Sequence, residues 1–553
     1  MTTASTKSRA SRGSKSKSAG NRADLPSTEP DSAESTFFDL KRNWYVSAGS
    51  ILALSALVRL YLLSLNPLHH DEGVNGYFLT HLLRDHVYHY DPANYHGPTL
   101  YYLALAIARP AEFLFGKDVA LTTFGIRLVP VLFGIATIWL VLSLRRYIGE
   151  IGAISAALLL AVSPGAVYMS RYFIHETLFT FFTLGIVVAA LRFYETEDVF
   201  YLLLATLSAG MMFATKETAI ISLGVLVIAL VCVWIYNWLF PGRLDSSGRE
   251  GMRKKRAKPG AEFVELISHF GGKRVLIYGI VVAALFVAIN VLFYSSFFTN
   301  WKGVNDSLET FKYWTKTGRA EHVKPPYQYV IWLVKEEGGI LFLGAVGAVL
   351  VLLKGRNRFA LFCALWAFGI LAAYSLISYK TPWIAVNFIV PLAIVSGYAI
   401  ATLWGMVKDG IEKLVIAGVF LVVVSITTVQ MVSLNFFKYD DDRYPYVYAH
   451  TERTFLDMIK EIDRVAKIAG TDEQTNIAVM APEYWPLPWY LGRYTHVGFF
   501  GRVSNSGEPI VIAADSQEAE FTAAFPGKYK KVGSYKLRPG VTLSVFVRKD
   551  VPT

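Results

Sequence analysis

Apolar stretches of roughly bilayer-crossing length recur along the chain, and that recurrence leaves few folds open to it. A bilayer core takes about 20 apolar residues per helix. Stretches of this kind cover 44–65, 124–144, 151–169, 177–193, 199–214, 218–240, 274–297, 329–353, 358–378, 383–406 and 412–433. They account for a hydrophobic fraction of 53% against 18% charged residues. The expected fold class is a polytopic α-helical membrane protein of about 11 transmembrane helices. One further stretch, PTLYYLALAIARPAEFLF at 98–115, either spans or lies along the surface.

Charge decides between those alternatives. The net charge of +11 is gathered in the N-terminal tail and in short loops between apolar runs. That is the signature of membrane orientation, and no nucleic-acid partner is expected. With the basic tail inside and 98–115 lying on the surface, Arg145-Arg146, the RKKRAK run and KGRNR at 354–358 all fall on the cytoplasmic side. If 98–115 spanned, they would all fall outside, which the positive-inside rule disfavours. The protein is therefore expected in the cell membrane, multi-pass, with a cytoplasmic N-terminus and an extracytoplasmic C-terminal domain. Residues 1–42 read as a disordered cytoplasmic tail, rich in Ser, Lys and Arg and lacking the apolar core of a secretory signal. Residues 43–433 form the transmembrane domain, with an outer loop at 66–123 and a basic cytoplasmic loop at 241–273. Residues 434–553 read as a soluble α/β domain. Its helical spacing runs over 452–468, and the β-like runs NIAVM, HVGFF, PIVIAA, KKVGSY and VTLSVFV follow. Cys232 and Cys363 lie in apolar runs and offer no disulfide framework.

In this topology the outer loops hold nearly every unusual polar residue. Asp71 and Glu72 follow the first span directly, in the string HHDEG. Carboxylates at the membrane surface suit acid–base or metal chemistry on a substrate held at the bilayer edge. The plainer reading is a helix N-cap for the segment that follows. Six His residues share the loop with several acids, but no tight metal-ligand spacing appears. Lys216 and Lys380 stand in very short outer loops. They would either neutralise a lipid phosphate or snorkel at span ends. The string APEYWPLPWYLGRY at 481–494 suits either carbohydrate stacking or docking at the membrane interface, where Trp and Tyr are enriched.

Several of these segments resemble a known superfamily. The strings HHDEG, HGPTLYYL, FGIRLVPVLFG, LLLAVSPGAVYMSRYFIHET and FATKET, in this order, are similar to the N-terminal half of GT-C membrane glycosyltransferases. These include protein O-mannosyltransferases, the aminoarabinose transferase of lipid A and oligosaccharyltransferases. The finer pattern HDEG…HGP…SRYFIHE…TKE…KTPW…YWPLPWYL resembles a flippase-activity-associated family of surface-glycan assembly proteins, over most of 44–500. The resemblance implies a glycosyltransferase that moves a hexosyl or pentosyl group from a polyprenyl-phosphate donor. The acceptor would be a protein, lipid or glycan on the outer face. It implies Asp71 as the catalytic acid of the first outer loop with Glu72 beside it, and Glu176 as the second acid, where many relatives carry Asp. Substrate contacts are expected from His96, Arg171, His175, Lys216, Glu217 and Lys380. No cofactor is certain, and a divalent metal has candidate ligands in Asp71, Glu176 and His96. A flippase or transporter-associated component, or a non-catalytic partner in glycan assembly, is the alternative. The polar residues gather on one face and charges inside the spans are scarce, which favours the enzyme.

Overall fold

The computed structural model describes residues 32–92, 96–117, 119–241, 271–314, 322–355, 357–505 and 507–552. The chain divides into two compact units, Met1–Val46 and Ser47–Thr553. Most of the N-terminal tail and of the basic loop at 241–273 lie outside the described residues, while residues 32–42 belong to the first helix.

Among the described residues, fifteen α-helices lie before the C-terminal region at 434–553. They are α1 (Ser32–Leu60), α2 (His70–Arg84), α3 (Thr99–Phe115), α4 (Thr123–Ser143) and α5 (Arg145–Ala161). Then come α6 (Pro164–Ser170), α7 (Glu176–Thr196), α8 (Val199–Phe213), α9 (Ala219–Leu239) and α10 (Gly272–Tyr294). The last five are α11 (Lys302–Trp314), α12 (Gln328–Lys354), α13 (Arg358–Leu376), α14 (Val386–Met406) and α15 (Gly410–Val432).

Among the described residues, 8 helices are long and apolar enough to cross a membrane, and the pair α5–α6, bent by 60°, makes a ninth. All the apolar stretches recognised in the sequence are helical, the remaining two being α1 and the 15-residue α8. Helix α3 is not among the spans. It has 17 residues, carries Pro110, and ends on exposed Phe113, Leu114 and Phe115. The stretch Pro382–Met406 is the central element, with 94% of its apolar window buried, whereas Gly272–Tyr294 is buried over only 6%. An apolar helix left uncovered in this way is one that faces lipid.

The bend between α5 and α6 has a local cause. Pro164 has no N–H to continue the ladder, and Ser163 caps the new helix through Ala166 N at 3.1 Å. Buried Glu337, at a non-helical point of α12, accepts from Ser163 Oγ at 2.8 Å and from Gly165 N at 2.7 Å. Buried Arg59 donates to the freed carbonyls of Leu160 and Ala161. The break is therefore hydrogen-bonded from both sides, as irregular backbone at membrane depth must be.

The C-terminal sheet comprises β1 (Ile477–Val479), β2 (Val497–Phe499), β3 (Ile510–Ala514), β4 (Tyr529–Arg538) and β5 (Val541–Arg548), in the order β2-β1-β3-β5-β4. Strands β1, β2 and β3 are parallel, and β5 runs antiparallel to β3 and β4. Strand alternation gives the sheet two buried faces. Ile477, Val479, Ile510 and Ile512 pack on α16 (Phe455–Ile468). Ala478, Met480, Val511 and Ala513 pack against Phe521 of α17 (Glu518–Ala524).

Candidate active site

The loop after α1 and the start of α2 form the first half of the site. His69 is the N-cap residue, and its Nδ1 accepts from Asp71 N at 3.1 Å. Glu72, at the third helical position, reaches back to His69 N at 3.0 Å and closes a capping box. Glu72 is wholly buried and makes a two-toothed pair with Arg127, both contacts being 2.7 Å. It also accepts from Phe173 N at 2.8 Å, while Arg127 donates to the carbonyls of Leu63, Asn66 and Pro67. Capping is thus done by His69 and Glu72, and Asp71 is left over. The Asp71 side chain is 44% exposed, and its carboxylate lies 3.9 Å from an imidazole nitrogen that already accepts a hydrogen bond. It opens into a pocket lined by His69, Tyr168, Tyr172, Ile174, Trp383, Tyr446 and Tyr448.

The second half joins the segment before α3 to the α8–α9 turn and the start of α7. Gly97 N donates to Thr215 O at 3.0 Å, and Thr99 Oγ1 to Thr215 Oγ1 at 2.7 Å. A Cβ on residue 97 would fall 2.1 Å from Ala214 O, so only glycine fits there. His175 Nε2 meets the Gly97 carbonyl at 3.0 Å, so that nitrogen carries the proton. Burial, with His96 and Lys216 close by, holds His175 well below the ordinary histidine range. Lys216 Nζ pairs with Glu176 at 2.5 Å, both buried. Burial works against the Lys216 charge, but Glu176 and Glu217 outweigh it and raise its pKa. His96 Nδ1 meets Glu217 at 3.0 Å. Burial would push Glu217 up, yet His96 and Lys216 hold it down at about 2.

The remaining expected residues serve the backbone. Buried Arg171 donates to the carbonyls of Val58, Arg59, Tyr61 and Leu62, closing the end of α1. Lys380, fully buried, donates to the carbonyls of Ser375 and Ile377 at the end of α13. Its neighbour Tyr379 lies in the field of both halves of the site. Burial raises the phenol to about 12, with Lys216 opposing and Asp71 and Glu176 adding to the rise. His322 Nδ1 meets Tyr448 Oη at 2.5 Å and packs on Tyr379. His322, Tyr379 and Tyr448 escape a sequence reading because each stands alone among ordinary loop residues. Trp383 belongs to the quoted KTPW string, and Arg127 to FGIR.

Among the described residues, no group of three or more His, Cys, Asp or Glu side chains gathers to hold a metal. Asp71, Glu176 and His96 do not form such a set, because Glu176 is taken by Lys216 and His96 by Glu217. In the string at 481–494, Trp485 and Pro486 lie against Gly73 of helix α2 and Trp489 lies against Gly76.

The bundle of apolar helices with its small C-terminal sheet is a fold that solved structures share. The chain is similar in fold to ArnT from Cupriavidus metallidurans in the apo state, at TM-score 0.56 and 15% identity, covering 91% of this chain and 98% of that one. The same protein bound to undecaprenyl phosphate matches at TM-score 0.57 and 14% identity over 91% and 98%. The archaeal oligosaccharyltransferase AglB from Archaeoglobus fulgidus, in complex with an inhibitory peptide and a dolichol-phosphate, matches at TM-score 0.51 and 14% identity over 88% and 71%. A family model described as dolichyl-phosphate-mannose-protein mannosyltransferase matches residues 103–239. No curated protein matches by sequence.

Proposed function

We propose that the protein is a glycosyltransferase of the GT-C type that takes its sugar from a polyprenyl-phosphate carrier. The acceptor is a protein, lipid or glycan on the outer face of the membrane. One observation carries the reading. Of the two adjacent acids on α2, Glu72 is consumed by the capping box and Arg127, and Asp71 is free in an aromatic-walled pocket. The likeness in fold to proteins whose structures hold undecaprenyl phosphate and dolichol-phosphate supports a lipid-phosphate donor.

In this reading Asp71 takes the proton of the acceptor hydroxyl as its oxygen bonds to the anomeric carbon. The bond from that carbon to the phosphate oxygen breaks, and polyprenyl phosphate leaves with the electron pair. Transfer inverts the anomeric centre. Lys216 offsets the charge that grows on the leaving phosphate, and Glu176 holds Lys216 in place. His175 and His96 orient the wall around it. Trp383 and Tyr448, the part-exposed aromatic side chains beside Asp71, suit the apolar faces of a sugar ring. Purified protein should transfer label from a polyprenyl-phosphate sugar to an outer-face acceptor. A panel of such donors that all bind and all stay intact would remove the enzymatic reading and favour the transport-associated one.

A further inference from the structure

We infer that the C-terminal region is a working part of the site: Pro486 and Trp489 close onto a side-chain-free seat formed by Gly73 and Gly76 of α2, and this contact sets the position of Asp71. The inference rests on Asp71 being the base proposed above. Gly73 and Gly76 are three apart, so they share one face of the helix. A Cβ at Gly73 would lie 2.6 Å from Pro486 Cβ, and one at Gly76 2.6 Å from Trp489 Cε3 and 2.8 Å from Trp489 Cζ3. Both are buried inside the helix, where glycine is less favourable than alanine. Closeness to the C-terminal region is what that cost obtains.

The same region holds the loop just before Asp71. Leu68 N donates to Tyr490 Oη at 2.8 Å, and Thr451 Oγ1 donates to Leu68 O at 2.7 Å. His69 is the link to the acid itself. Its Nδ1 accepts from Asp71 N, so its Nε2 carries the proton and donates to Tyr448 O at 3.0 Å. Tyr490 packs against both the bundle core and the sheet core, where it meets Phe455 at 5.2 Å between ring centroids. Movement of the sheet region would therefore be felt at the Asp71 backbone through one imidazole and one helix face. Trp489, Pro486 and His69 act here as positioning residues.

The test uses the full chain. In Gly76→Ala the added methyl meets the Trp489 ring, while Trp489→Phe removes the two ring atoms it would meet. Gly76→Ala should lower kcat at least about tenfold per folded molecule, with donor binding unchanged, and Gly76→Ala/Trp489→Phe should return to within about threefold of wild type. A second readout needs no activity. A cysteine at Asp71 should change its alkylation rate by iodoacetamide at least about threefold in the Gly76→Ala background, and recover in the double variant. Where Gly76→Ala does not fold, Trp489→Ala takes its place and should show the same kcat loss with unchanged donor binding, and the same alkylation shift. Unchanged kcat and alkylation, or failure of Trp489→Phe to rescue, overturns the seat. A wild type without transfer overturns the functional reading alone, and the alkylation series then decides the seat.

Discussion

Two neighbouring carboxylates, Asp71 and Glu72, have the same chemistry and opposite fates. Both oxygens of Glu72 accept from the backbone or from Arg127, with no solvent contact. Breaking such a buried pair costs about 3–5 kcal/mol, because the surviving charge is left unpaired. Glu72→Gln is therefore expected to lower the thermal midpoint of the purified protein sharply, while Asp71→Asn leaves it near wild type. Equal destabilisation by both would show that Asp71 is a capping residue. His175 sets a second expectation, in pH. Its folded pKa lies below the ordinary value of about 6.5, so the unfolded chain takes up a proton first as pH falls. Stability contributed by the neutral imidazole is then present above about pH 6.5 and declines below it. Melting midpoints measured from pH 7 to 5 should fall in wild type, and the slope should flatten in His175→Asn.

At the scale of elements, helix ends explain most of the buried charge. Arg59, Arg127 and Arg171 all donate to carbonyls freed where helices or loops break. The sequence shows these arginines plainly, but a carbonyl acceptor leaves no mark in a side-chain pattern. That is why Arg171 reads as a substrate contact in SRYFIHE and serves as the cap of α1 in the fold. Charge inside the spans is sparse, as the composition suggests, yet α12 carries buried Glu336 and Glu337. The purpose of Glu337 emerges only from its partners across the α5–α6 bend. Arg171→Lys keeps the charge but loses the planar fork that reaches several carbonyls. It should cost stability, read as a lower melting midpoint, and leave the donor affinity of the folded fraction unchanged. A donor-binding loss without a stability loss would return Arg171 to the substrate.

For the whole molecule, hydrophobic length and loop charge made the architecture readable, because spans and basic clusters are long, local signals. The strands of the C-terminal sheet were readable for the same reason, through short β-branched runs between turns. What stayed hidden was how distant pieces meet. Nothing local in YWPLPWYL announces that its rings rest on Gly73 and Gly76, some 400 residues earlier in the chain. Orientation remains a prediction drawn from charge. In intact cells an impermeant thiol reagent should label a cysteine at exposed Glu520 and spare one at Ser247. Labelling at Ser247 would invert the topology and with it the side on which the site works.

The most direct measurement of the account is turnover by Asp71→Asn set beside its donor affinity. General-base removal typically costs on the order of 100- to 10,000-fold in rate. The account predicts a loss in that range with polyprenyl-phosphate donor binding largely intact, while Lys216→Ala weakens donor binding, since the phosphate is already present in the ground state. An Asp71→Asn enzyme that keeps more than about a tenth of wild-type turnover contradicts it.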